Sequence, residues 1–172
     1  MPRSFLAIAA LMPLMMGCAG FAQAQDLQNR SPDEVALING TCAKVMGLRQ
    51  GEAFYADCQD SLAHSLARRD TAYATAAADD SCGRQGLEPG TGAFATCMLD
   101  RESAGTGKAP ALQPAGFSAD AVQAGKSYYN VTPGVQWQRK RYACAQLGLT
   151  PGSGLFNECV ASLEGALLPD PN

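Results

Sequence analysis

The feature that most constrains this chain is a cysteine spacing that occurs three times. Segments beginning at Gly47-Leu48, Gly86-Leu87 and Gly148-Leu149 each reach a cysteine eleven residues after the glycine, at Cys58, Cys97 and Cys159. Each has a second glycine, Gly51, Gly90 or Gly152, and an aromatic residue three positions before the cysteine, Tyr55, Phe94 or Phe156. An upstream cysteine precedes the first glycine by four residues at Cys82 and Cys144 and by five at Cys42. Self-similarity of this kind marks an internal repeat of one supersecondary unit.

The residue types in the repeat define its conformation. A glycine just past a helix end takes the left-handed C′ conformation, and the leucine after it lays its side chain back on the last turn. Pro89-Gly90 and Pro151-Gly152 then turn the chain, and Thr91 and Ser153 stand where a hydroxyl caps the next helix; Glu52 is the weaker equivalent in the first copy. Each unit therefore reads as helix, tight turn, helix. The first cysteine falls in the last turn of the incoming helix and the second in the second turn of the outgoing one, so the two face each other near the hairpin tip. Of the fifteen possible pairings, this geometry predicts Cys42–Cys58, Cys82–Cys97 and Cys144–Cys159. Each bridge closes a loop worth about 3 kcal/mol in chain entropy.

Helix signals extend the pattern. Ser31-Pro32-Asp33-Glu34 combines an N-cap, an N1 proline and a capping-box glutamate, and opens a helix with Val35, Ile38, Cys42 and Val45 on its apolar face. No breaker occurs from Glu52 to Cys82, where Tyr55, Cys58, Leu62, Leu66 and Tyr73 recur at helical spacing. One helix of about thirty residues, roughly 45 Å long, thus joins the first two hairpins. Thr91 starts another, and Thr132-Pro133 and Ser153 start the last pair. No strand-like alternation is present. The predicted class is all-α: three disulfide-stapled antiparallel helical hairpins, with one long helix shared by the first two. The predicted organisation is a three-helix region over 31–102, a Gly/Ala/Pro-rich linker over 103–130 with few large apolar side chains, and the third hairpin over 131–168.

The seventh cysteine, Cys18, belongs to the export signal. Residues 1–24 carry Arg3, an apolar run from Phe5 to Met16 and a terminal Ala22-Gln23-Ala24. That run is too short for the roughly 30 Å hydrocarbon layer. Cleavage after Ala24 discards Cys18. The competing route reads Leu14-Met15-Met16-Gly17-Cys18 as a lipobox, with a lipoprotein signal over 1–17 and lipid on Cys18, although Met15 and Met16 depart from its preferred residues. Either route leaves six cysteines for a disulfide framework, as an oxidising compartment permits. The expected location is periplasmic or secreted, with lipid anchoring in the bacterial envelope as the alternative. Contact with membrane would come only through a lipid on Cys18.

Chemistry-bearing patterns are sparse. With 13 basic and 16 acidic residues the chain has a net charge of −3, which argues against nucleic-acid binding. The sole histidine, His64, has no Cys–His or metal spacing around it, and there is no C-x-x-C for redox, zinc or haem chemistry. Gly105-Thr106-Gly107-Lys108 lacks the first glycine and the hydroxyl residue of a phosphate loop, having Glu102 and Ala109 there. Arg139-Lys140-Arg141 and Asp79-Asp80 read as solvated helix surface. No catalytic residue, cofactor or metal site is predicted.

The motif C-x3-G-[LF]-x-P-G-[TS]-x-x-F-x-x-C, as in Cys82 to Cys97 and Cys144 to Cys159, resembles one found in uncharacterised small exported proteins and lipoproteins of proteobacteria. The resemblance covers the hairpins and not the linker, and it implies an envelope location and helical hairpins without an activity. The first copy departs from it at Gln50, at Glu52 and in its extra residue after Cys42. Repeated scaffold residues without catalytic ones point to a non-enzymatic envelope protein that acts as a structural or protein-interaction module, with another envelope protein as partner. The alternative is a periplasmic small-molecule or metal-binding protein with a groove around Tyr55, Tyr73 and Trp137.

Overall fold

The computed structural model describes residues 27–105, 107, 109–112 and 118–168. The segment read as an export signal, with Cys18, lies outside them. The described residues form five α-helices and no strand: α1 (Pro32–Gly40), α2 (Ala53–Arg84), α3 (Gly92–Ser103), α4 (Pro133–Gln146) and α5 (Gly154–Ala166). A π-helical turn (Thr41–Val45) continues α1, and a 3-10 turn (Tyr128–Asn130) precedes α4. Ser31 forms the full capping box with Glu34, and Thr91 and Ser153 accept the N–H groups of Phe94 and Phe156. Glu52 makes no such cap; its carboxylate instead accepts the Arg49 N–H at 3.2 Å, closing the turn from the other side.

All three hairpins are stapled as predicted, Cys42–Cys58, Cys82–Cys97 and Cys144–Cys159, with Cα–Cα distances of 6.1, 6.1 and 6.0 Å. The near-identity holds although the first copy has one residue more between cysteine and glycine. The π-turn absorbs that residue, with Met46 N–H donating to Thr41 O across five residues at 3.0 Å. Leu48 N–H then closes on Cys42 O at 3.1 Å, just as Leu87 N–H closes on Cys82 O at 3.4 Å in the second hairpin. The six repeat glycines all have positive φ, between 70° and 94°.

The first and third hairpins share one core. It contains Leu48, Tyr55, Cys58, Leu62 and Leu66 from the first unit, and Leu149, Phe156, Cys159, Leu163 and Leu167 from the third. These are the same positions counted from each unit's second cysteine. The matched serines Ser61 and Ser162, each three residues past that cysteine, meet with their Oγ atoms 2.9 Å apart. Equivalent positions touching each other is what an approximate two-fold relation between two units requires. The second unit has Asp100, Arg101 and Gly105 at the positions of these serines and leucines. It stands outside the shared core, where Ala78, Cys82 and Phe94 are buried and α2 and α3 pack together.

The basic run on α4 is not the solvated face its composition suggests. Arg139 is fully buried and Lys140 nearly so. The Arg139 guanidinium donates to four backbone carbonyls, Val122 (2.6 Å), Met46 (2.8 Å), Gln123 (2.8 Å) and Lys126 (3.0 Å). Met46 O lies at the end of the first incoming helix, where the helix dipole favours a cation. Lys140 lies within 3.3 Å of a Glu164 carboxylate oxygen. The stretch read as a linker supplies three of the four carbonyls, and Val122 within it is completely buried. Its packing therefore rests on backbone acceptors more than on the large apolar side chains that the sequence lacks there. Residues 106, 108 and 113–117 of that stretch lie outside the described residues.

Candidate functional site

Three surfaces merit description. The first is the second hairpin. Its outgoing helix α3 has α2 as its principal neighbour, and Leu99 on it is 67% exposed. Around Leu99 the sequence places Asp100 and the exposed Glu102, whose carboxylate accepts the Thr75 hydroxyl at 2.9 Å. The tip, Gln85 to Thr91, is exposed apart from the half-buried Leu87. Conformation at this tip is held by the Cys82–Cys97 disulfide, the turn and the Thr91 cap.

The second surface is a recess of about 380 Å³ on the third hairpin, lined by Trp137, Arg141, Tyr142, Pro151 and Phe156 among others. The Arg141 guanidinium lies 4.5 Å from the Trp137 ring centre and 5.8 Å from that of Phe156. Arg141 thereby fills part of its own recess.

The third is a larger cleft of about 960 Å³, lined by α1 and the π-turn, by Arg69 and Asp70 on α2, and by described residues of the 107–112 stretch. Arg69 is only 4% exposed, its Nη2 donating to Pro110 O at 2.7 Å. Asp70 pairs with Arg30 and lies 3.5 Å from Arg69 Nη1.

The residues proposed for a groove are not gathered. Tyr55 is buried in the core, its hydroxyl donating to Asn39 O at 3.2 Å; Tyr73 lies against Arg69, and Trp137 lines the recess on the third hairpin. His64 is exposed on α2, as are Asp79 and Asp80. Among the described residues no group of three or more His, Cys, Asp or Glu could hold a metal ion. Arg69 carries no expectation from the sequence and Arg139 is expected on a solvated face, whereas both are buried. Each has a signal in retrospect: Arg69 follows Leu62 and Leu66 along their buried stripe, and Arg139 precedes buried Ala143 by four residues.

The class these observations define is a disulfide-stapled all-α protein built from repeated helical hairpins. Three disulfides suggest an oxidising, extracellular or periplasmic environment. No helix among the described residues is long and apolar enough to cross a membrane. No protein-family model matches the sequence, and no curated protein or solved structure matches it.

Proposed function

We propose that this is a non-enzymatic exported protein of the bacterial cell envelope, related to the small exported proteins and lipoproteins its repeat resembles, and that it works as a protein-interaction module through its second hairpin. The observation that supports this reading is a contrast between the three units. Two of them bury their matched leucines in one core, whereas the second keeps the staple and the turn but has Arg101 and Gly105 at the positions of Leu62 and Leu66 and leaves Leu99 exposed. A hairpin that contributes no side chain to that core, yet is rigidified by its own disulfide, is suited to present a fixed surface to another molecule.

The test is site-specific photocrosslinking in the intact envelope, with the probe at position 99 and, as a control, at position 158 on α5. A discrete protein adduct from position 99 alone is expected. No adduct, or the same adducts from both sites, overturns the reading, as does a measurable turnover by the purified chain.

For processing, the proposal is cleavage after Ala24 and a free periplasmic or secreted product starting at Gln25. Intact mass decides it: lipid on Cys18 in the membrane fraction replaces that proposal with an anchored protein.

A further inference from the structure

The recess beside Trp137 goes beyond the reading of the second hairpin, because it lies on the third and uses no residue of α2 or α3. Gly134, Trp137, Gln138, Arg141, Tyr142 and Ala145 line it from α4, three or four residues apart along two adjoining rows of the helix. This spacing makes a stripe about 16 Å long on one face. Pro151 and Phe156 line it from the hairpin tip and the start of α5. We infer that this groove binds a proline-rich segment of another protein, in the extended polyproline conformation, with one carboxylate set against Arg141.

Donor chemistry selects the backbone of that partner. Trp137 brings an indole N–H, Gln138 an amide, Arg141 a guanidinium and Tyr142 a hydroxyl, so side-chain donors far outnumber acceptors. Among the described residues none of the four makes a hydrogen bond or an ion pair; Arg141 instead contacts the rings of Trp137 and Phe156. An ordinary extended chain carries one N–H for every C=O, and its own donors would go unmet here. Proline has a carbonyl and no N–H, and a polyproline helix makes no internal hydrogen bonds. Such a segment offers only acceptors to a groove rich in donors. At about 3.1 Å per residue, roughly five residues span the stripe.

Apolar surface and charge select its side chains. Trp137, the chain's one tryptophan, is 51% exposed, and aromatic-lined grooves receive proline rings. Tryptophan, tyrosine and arginine are also the residues that carry most binding energy at protein interfaces, and here all three stand within two turns of one helix. No aspartate or glutamate lines the recess, and Arg141 is its one cation. Its guanidinium is held by cation–π contact, 4.5 Å from the Trp137 ring centre and 5.8 Å from that of Phe156, with its N–H groups unspent. One carboxylate among the prolines matches it in charge and in hydrogen bonding.

The test uses the oxidised full chain and the emission of Trp137, which reports on this groove because no other tryptophan contributes. The peptide acetyl-PPDPP-amide is expected to change that emission saturably. Acetyl-PPNPP-amide should bind about fivefold more weakly, the scale of an exposed ion pair, and acetyl-AADAA-amide should give no saturable change. By calorimetry, Trp137→Ala should abolish binding, and Arg141→Gln should make the aspartate and asparagine peptides equal. Neither side chain belongs to the shared core, and circular dichroism checks that both variants fold; the three peptides on the unaltered chain decide the matter where one does not. No saturable change with the aspartate peptide, equal binding of the alanine peptide, equal affinity for the aspartate and asparagine peptides, or binding that survives Trp137→Ala overturns the inference. None of these results bears on crosslinking from position 99, so the two proposals fail separately.

Discussion

At the scale of single residues, Gly47 and Gly86 occupy the same position of the repeat but carry different constraints. Both have positive φ, 71° and 76°, yet a Cβ on Gly86 would meet nothing, while one on Gly47 would stand 2.3 Å from Lys126 O and 2.7 Å from Arg139 Nη1. Gly86→Ala should therefore cost only the left-handed penalty of about 1–2 kcal/mol. Gly47→Ala should cost clearly more, because it also displaces bonds of a buried guanidinium; urea midpoints of the two variants check the order. Arg139→Met should destabilise by about 3–5 kcal/mol, since four carbonyls lose their donor at once. Tyr129 gives a pH signature. Burial first, then Tyr128, Asp57 and Glu52, push its phenol from 10.0 up to about 12. A raised phenol pKa favours the neutral form in the folded protein, so its stabilising contribution is complete below pH 10.0 and is lost as pH rises towards about 12. Its ring is partly exposed, so the effect is modest; denaturation across that window should be shallower in pH dependence for Tyr129→Phe.

At the scale of elements, the three staples are chemically similar and differently exposed. Five of the six cysteines are at most 1% exposed, whereas Cys97 is half-buried and its sulfur accepts from Gln85 Nε2 at 3.7 Å. Thiolate attack requires access. Limited reduction followed by alkylation and peptide mapping should therefore open Cys82–Cys97 before either of the others. Replacing both Cys82 and Cys97 by alanine should raise amide exchange across α3 and the end of α2 and leave α4 and α5 protected, because the shared core does not include that hairpin. The same double replacement at Cys42 and Cys58 removes sulfur from the core itself, so its cost should exceed the roughly 3 kcal/mol of the closed loop.

At the scale of the whole molecule, stability rests on the pairing of the first and third units across the long helix. Leu62 and Leu163 are matched and both fully buried. Leu163→Ala should cost about 2–5 kcal/mol, and Leu163→Arg, which copies Arg101 of the second unit, should prevent that pairing altogether. Far- and near-ultraviolet circular dichroism distinguish the outcomes: helices retained in stapled hairpins, but tertiary signal lost. The same substitution pattern accounts for the second unit's absence from the shared core, as Arg101 and Gly105 replace the two leucines that the other units bury against each other.

What the sequence determined by itself is local. Helix starts at Ser31, Thr91 and Ser153, turn glycines and the three disulfides all depend on residues within about fifteen positions of one another, where spacing translates directly into geometry. Tertiary structure alone decided which hairpins pair, that Arg139 is buried, that the 118–126 stretch supplies three of its four acceptors, and that Arg69 borders a cleft. The matched Ser-Leu-x-x-x-Leu after Cys58 and Cys159, absent after Cys97, does carry the pairing in sequence. It becomes readable only once two units are seen to share a core, because a leucine on an amphipathic helix specifies that a face is buried and not what buries it.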